Sequence, residues 1–208
     1  MKDLINSIQN LKKSEISQII ELRIEEFSHI KERKIEDIFV ELCFCIMTAN
    51  CGAEKCIEIH ELIGEDFLNL SEDELVGKFK EYGYRFPNVR ANYIVNARSC
   101  MEQLEDILFS SEDRLTVRNK LVKTVKGLGY KESSHFLRNI GFNDYAIVDF
   151  HIVDLLYKHD LIEKPKTMTK RRYHEIEEVL MALGEKLNLT MAELDLYLWY
   201  LETGKILK

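Results

Sequence analysis

The sequence predicts an all-α fold. Only two prolines (Pro87 and Pro165) and nine glycines punctuate 208 residues, which favours long helices over many short turn-bounded strands. Where periodicity can be followed, apolar residues recur at the three-to-four-residue spacing of a half-buried helix, as at Val117, Leu121, Val122 and Val125. A composition of 46% hydrophobic and 31% charged residues is ordinary for a globular protein, and the length suffices for one sizeable core or two small helical lobes. No apolar window is long enough to span a bilayer, and the amino-terminal MKDLINSIQNLKKSE has no signal-peptide core. A cytoplasmic protein without membrane attachment is expected. No repeat, low-complexity tract or linker announces a boundary.

The elements read in order as follows. MKDLINSIQNLKKSE is an amphipathic helix, and FVELCFCIMTAN (39–50) is a buried one in which Cys43 and Cys45, two apart, fall on different faces. Thr116 to Lys126 forms a half-buried helix that Gly127 and Gly129 break. The next helix starts near Tyr130, with its unpaired amides directed back at the short hairpin. A hydrophobic, strand-like run then leads to Asp149, an N-cap candidate for the apolar helix FHIVDLLY. LDLYLWYL (194–201) is a terminal helix carrying the single tryptophan, Trp199.

The hairpin is the most informative segment. Its glycines admit backbone angles closed to other residues and let a ligand approach closely, and a helix N-terminus is a phosphate site. From Arg114 to Lys131 there are six basic residues (Arg114, Arg118, Lys120, Lys123, Lys126, Lys131) and no acidic one, although the chain carries a formal charge of -7. A local positive patch for a polyanion is therefore expected, because exposed charges beyond about 10 Å are screened. Taken alone, the same features also fit a plain helix-turn-helix connection with a solvated basic face.

The segment KGLGYKESSHFLRNIGFNDYAIVD (126–149) resembles the helix-hairpin-helix element (about 116–141) of the base-excision DNA glycosylase superfamily. With FVELCFCIMTAN, YGYRFPNVRANYIVNAR (82–98) and DLYLWYLETGKILK (195–208), the chain resembles, over nearly its whole length, the archaeal-type 8-oxoguanine DNA glycosylase/lyase family. The resemblance implies two helical lobes with the active-site cleft between them: a central lobe over 28–148, and a second from both chain ends, 1–27 plus 149–208. It implies an enzyme that takes double-stranded DNA containing 8-oxoguanine, excises the base and cleaves the strand, with no cofactor and no catalytic metal; nothing in the sequence suggests an obligate dimer, and a monomer is expected. Some glycosylases of this superfamily hold an iron-sulfur cluster, but Cys43, Cys45, Cys51 and Cys56 match neither common cluster spacing nor zinc knuckles. Structural thiols are the better account.

By the same resemblance Lys131 is the nucleophile and Asp149 its partner. An amine attacks only when uncharged, and burial and a nearby helix N-terminus disfavour the ammonium form. Asp149 would orient the lysine and stabilise positive charge developing on the sugar. For the extruded base, Trp199 and Phe86 are candidates for the two faces, with His135 one helical turn after Lys131. Asp195 is a candidate acceptor for guanine N1 and N2, with a surface ion pair as the simpler alternative. Lys208 and its carboxylate would help tell oxidised guanine from guanine, so that a carboxy-terminal tag would impair activity. Asn50 matches the loop that fills the gap left by the base, and Arg90 a position contacting the opposite strand, while a turn asparagine and a phosphate-contacting arginine remain open for these two. Gly127 and Gly129 would bring hairpin amides to DNA, and the carbonyls of Lys123, Val125 and Leu128 would hold a monovalent cation beside a phosphate.

Two positions depart from the wider pattern. Lys126 and Leu128 stand where proline-glycine-valine-glycine is frequent, and Phe150 stands where close relatives carry a basic residue, which suggests weaker DNA binding. A glycosylase for another damaged base and a non-enzymatic hairpin DNA-binding module remain open as alternatives.

Overall fold

The apolar helix around Phe39 is the hub of the computed structural model, which describes residues 2–208. Twelve α-helices follow one another among these residues: α1 (Lys2–Leu11), α2 (Glu15–Ile30), α3 (Ile35–Thr48), α4 (Ala53–Ile63), α5 (Glu72–Glu81), α6 (Pro87–Arg98), α7 (Met101–Leu108), α8 (Arg114–Thr124), α9 (Tyr130–Asn139), α10 (Phe150–Lys158), α11 (Lys170–Leu187) and α12 (Met191–Thr203). A 3-10 turn, Gly64–Leu68, separates α4 from α5, and no strand occurs among the described residues. Ten of the fourteen residues of α3 are buried, so this helix is apolar all round and must be covered on every side. The turn, α4, α6, α7 and α9 cover it. That is why Cys43 and Cys45 are both fully buried although they lie on different faces. All five cysteines are free thiols.

Helix boundaries follow local capping chemistry. Ser14, Asp113, Thr169 and Thr190 each accept a backbone amide at the start of α2, α8, α11 and α12, and Ser71 and Thr190 form reciprocal capping boxes with Glu74 and Glu193. Helix α9 is different: its N-cap is Gly129, which has no side chain to offer, so its first amides remain available.

Apolar side chains gather into two clusters. One runs from Ile38 to Tyr145 and is centred on α3; the other joins Leu4, Ile8, Ile20 and Phe27 to residues from Ala146 to Leu198. The chain passes between them through Tyr145–Val148, four buried residues outside any helix. The strand-like appearance of this run in the sequence is real in its burial, but it has no partner strand. A side chain takes the place of one: the Tyr173 hydroxyl lies 2.9 Å from the Ala146 carbonyl, to which it donates, and accepts from the Val148 amide at 3.2 Å.

The basic run from Arg114 to Lys131 is not a continuous surface patch. Arg118 is completely buried and makes a two-pronged ion pair with Glu177 of α11, at 2.7 and 2.8 Å. Arg114, one turn earlier, reaches the same carboxylate at 3.2 Å, and Lys120 pairs with Glu112 at 2.6 Å. Helical spacing explains the correction, because residues four apart share a face, and here that face meets α11. Lys123 and Lys126 are the exposed basic residues beside the hairpin.

The Arg118 guanidinium also donates to Ser134 Oγ at 3.1 Å and sits over the rings of Tyr130, Tyr145 and Tyr173. Burial pushes the Glu177 carboxyl up, but the hydrogen bonds and charge of Arg118 outweigh this and hold it below the usual carboxylate value. Glu177→Ala leaves a buried guanidinium unpaired and is expected to cost about 3–5 kcal/mol, read as a lower urea midpoint at unchanged slope. Because the folded-state value is depressed, the contribution of the pair is present above the ordinary carboxylate range. It is lost as pH falls through the depressed value, so the wild type should lose more stability between pH 5 and pH 3 than Glu177→Gln does.

Candidate active site

The hairpin is built on one forced backbone angle. Gly127 has φ of +88°, and a Cβ there would overlap the ring of Tyr93; no other residue type fits. Gly129 has φ of -85° and serves as the cap of α9. Leu128 between them is buried and donates its amide to the Val125 carbonyl at 3.2 Å, which ties the hairpin to the central cluster. Of the three carbonyls expected to hold a cation, Val125 alone accepts a backbone amide among the described residues, leaving those of Lys123 and Leu128 without a backbone donor.

Past the hairpin, Lys131 is the second residue of α9 and lines a cavity of about 540 Å³ together with Asp149, His135, Asp195, Trp199, Asn50 and Lys208. Asp149 caps α10 by accepting the Ile152 amide on Oδ1 at 2.9 Å. The capping and cleft positions are thus compatible, since one carboxylate oxygen is used and the other is not. Lys131 and Asp149 face the same cavity from the starts of two successive helices, with no ion pair between them.

The floor beneath the pair is polar and buried. His135 is 7% exposed, with its ring edge-on to Phe44 at 5.7 Å. Burial, then the charges of Arg138 and Lys131, push its pKa well below the ordinary value, so the imidazole is neutral; a hydrogen bond to the backbone of Lys208 opposes this only in part. Asp195 makes an ion pair with Arg138 at 3.2 Å, but the pair lies at the base of the cleft rather than on the surface, with side-chain exposures of 12% and 4%. Burial raises Asp195 to about 6 against the lowering effect of Arg138, with Asp149 raising it further and Lys131 lowering it.

On the walls, the Trp199 ring stands at 4.8 Å and nearly perpendicular to His151, and its Nε1 has no protein partner. Asn50 adopts φ of +59°, a left-handed angle that asparagine tolerates better than most residues, in the turn that follows α3. Arg90 does not extend freely to solvent. It is 8% exposed and donates Nη2 to the Ala49 carbonyl at 2.8 Å, so it braces the Asn50 turn. Phe86 is outside the cavity lining; it packs against the central cluster with Arg85 and Arg90 over its ring, and Arg85 lines the cavity instead.

The Lys208 side chain leaves the cavity. Its Nζ donates to Glu41 Oε2 at 2.9 Å and lies 3.2 Å from His60 Nδ1, over the Phe44 ring. Sequence reading missed Glu41, His60, Arg138 and Arg85. Glu41 alone had a legible signal, as the single acid inside the apolar run of α3.

A helical protein in which a hairpin delivers a lysine, and the next helix an aspartate, to one interlobe cavity is of the helix-hairpin-helix DNA glycosylase class. The family profile of 8-oxoguanine DNA glycosylase (Ogg-HhH) matches residues 20–189. Among curated relatives, the 8-oxoguanine DNA glycosylase/AP lyases of Methanocaldococcus jannaschii and Korarchaeum cryptofilum are 50% and 49% identical, covering 99% of this chain and 99% and 98% of theirs. The crystal structure of the Methanocaldococcus jannaschii glycosylase/lyase in complex with a 15mer DNA containing 8-oxoguanine superimposes with a TM-score of 0.95 over 99% of both chains. The 8-oxoguanine DNA glycosylase of Thermotoga maritima, 40% identical, gives 0.93 over 100% of this chain and 99% of its own. The chain belongs to the 8-oxoguanine DNA glycosylase family.

The electrostatics of the cleft are testable without substrate. In carboxyl-carbon NMR, Asp195 should titrate near pH 6. Its midpoint should move up in Lys131→Gln, which removes a favourable positive charge, and down in Asp149→Asn, which removes an unfavourable negative one. A midpoint indifferent to both changes would mean that the three groups do not share one cavity.

Proposed function

We propose that this protein is a bifunctional DNA repair enzyme that excises 8-oxoguanine from double-stranded DNA and then cleaves the strand as an abasic-site lyase. The observation that carries the reading is the placement of Lys131 and Asp149 at the starts of successive helices, facing one cavity large enough for a base. The 40–50% identity to glycosylase/lyases over whole chains supports it.

In this mechanism the damaged nucleotide rotates out of the duplex into the cleft. The Lys131 amine attacks C1′, the bond from C1′ to the base breaks, and the base leaves with the electron pair and takes up a proton. Loss of the amine proton and ring opening give a Schiff base between Lys131 and C1′. Removal of a proton from C2′ then expels the 3′ phosphate oxygen, breaking the strand, and water releases the sugar from the lysine. Asp149, held by its cap hydrogen bond, orients the amine and stabilises the positive charge that builds on the sugar. Trp199 offers one wall to the base, with His135 and Asp195 at its edge. Phe86, one residue beyond Arg85, serves the opposite face only by moving toward the cleft. The uncapped amides of α9 and the free hairpin carbonyls of Lys123 and Leu128 face the backbone phosphates, directly or through a monovalent cation.

Borohydride trapping on a duplex with one 8-oxoguanine opposite cytosine tests the reading. Wild type should give a covalent adduct confined to the lesion, and Lys131→Gln none; Asp149→Asn should slow excision by about two to three orders of magnitude while retaining DNA binding. Adduct on an abasic site but not on 8-oxoguanine would keep the lyase and point to another damaged base. No adduct on either, with DNA still bound, would leave a non-enzymatic binding module.

A further inference from the structure

The residues that hold the chain's last segment lie outside the cavity. Leu207 and Lys208 form part of the cleft lining, and the backbone of Lys208 is hydrogen-bonded to His135, one turn from Lys131. That segment has no helix or sheet of its own to fix it: Gly204 ends α12 in a left-handed conformation, and 205–208 is irregular. Its start is held by the Lys205–Glu54 ion pair and by Ile206 against the second apolar cluster; its end is fixed by the Lys208 side chain, which turns away from the cleft into a socket in the central lobe.

The socket is fully formed by three elements. Glu41 of α3 is 4% exposed; its Oε2 accepts from Lys208 Nζ at 2.9 Å, and its Oε1 accepts from Asn139 Nδ2 of α9 at 2.7 Å. His60 of α4 lies with Nε2 3.0 Å from the Val40 carbonyl, to which it donates, so Nδ1, 3.2 Å from Lys208 Nζ, is the acceptor. The Phe44 ring closes the third side, 4.4 Å from the ammonium. Burial, then the Lys208 charge, lower the His60 pKa, in keeping with a neutral ring that accepts from the ammonium. An acid inside a buried helix is costly unless paired. Here it is paired with the residue that anchors the end of one wall of the cleft.

We propose that Glu41, with His60, is a positioning residue for base recognition: it holds the Lys208 ammonium so that the 205–208 segment stands as the wall against which the extruded base is read. The inference rests on the proposed glycosylase function, and it separates the two steps of that reaction. Excision needs the wall, because a base must be seated; the lyase step on a preformed abasic site does not, because no base is present.

The experiment compares wild type, Glu41→Gln, Lys208→Met and the double variant, each on an 8-oxoguanine duplex and on the same duplex with an abasic site. In Glu41→Gln the kcat/KM for excision should fall on the order of a hundredfold, as for a misplaced binding wall, with strand cleavage at the abasic site within about twofold of wild type. Lys208→Met should lose excision to a similar extent, and the double variant should be no worse than either single one, since both break the same contact. Retention of excision in Glu41→Gln, parallel loss of excision and lyase activity, or additive losses in the double variant would each overturn the proposal. If wild type cleaves the abasic site but does not excise 8-oxoguanine, the functional reading fails, and the role of Glu41 fails with it.

Discussion

The ion pair of Arg118 with Glu177 is the constraint on which the rest of the arrangement depends. Arg118 belongs to the first helix of the hairpin motif, Ser134 to the second, and Glu177 and Tyr173 to α11 of the other apolar cluster. One buried guanidinium therefore fixes both hairpin helices and the chain-end helices in a single register. Three tyrosine rings around it exclude water, which makes the pair costly to break and gives no room for a shifted alternative. Apolar packing alone is tolerant of small slides between helices; a two-pronged hydrogen-bonded pair is not. Lys131 and Asp149 line one cavity, Asp149 directly after the Tyr145–Val148 crossover, and Tyr173 pins that crossover at Ala146 and Val148.

A second buried layer repeats the logic closer to the chemistry. Arg138 with Asp195 joins α9 to α12, and Asn139 with Glu41 joins α9 to α3. Helix α9 thus carries the lysine on its first turn and, on its last, the charged and amide groups that lock it against both neighbours. Its start is left open by a glycine cap, while its end is immobilised. A helix fixed at the far end and uncapped at the near end presents its amides and its lysine in a preorganised position, which is where preorganisation is useful for charge developing on a sugar or resting on a phosphate.

How much of this was legible in the sequence depended on whether the cause was local. Gly127 could be read because a left-handed turn requires glycine whatever surrounds it, and Asp149 because a helix start selects aspartate by its own cap bond. The six-residue basic run misled because charge was counted along the chain while helical geometry sorts it by face: Arg114 and Arg118 turn inward to α11, whose acid lies 59 residues beyond Arg118. The run before Asp149 read as strand-like because it is a short apolar stretch without helical spacing; that a tyrosine hydroxyl serves the backbone groups of this buried run is a tertiary fact. Phe86 and Lys208 were placed by resemblance, which locates a residue in the chain but not the direction of its side chain. Glu41 stood out as an acid inside an apolar run, but its role, like that of His60, was invisible because their shared partner is the Lys208 amine, at the far end of the chain.

The unpaired groups follow a different rule from the paired ones. Among buried side-chain atoms without a partner are Nδ1 of His135, Nε of Arg138 and Nε1 of Trp199, all on residues that line the cleft. A buried polar atom without a partner costs about 1–3 kcal/mol, so each of the three favours any adjustment of the cleft walls that brings it one. The neutral state of His135 matters here: a neutral imidazole accepts on one nitrogen while donating on the other, and an imidazolium cannot. The cleft therefore keeps polar groups on its walls, on or beside residues that the two buried ion-pair layers hold in place.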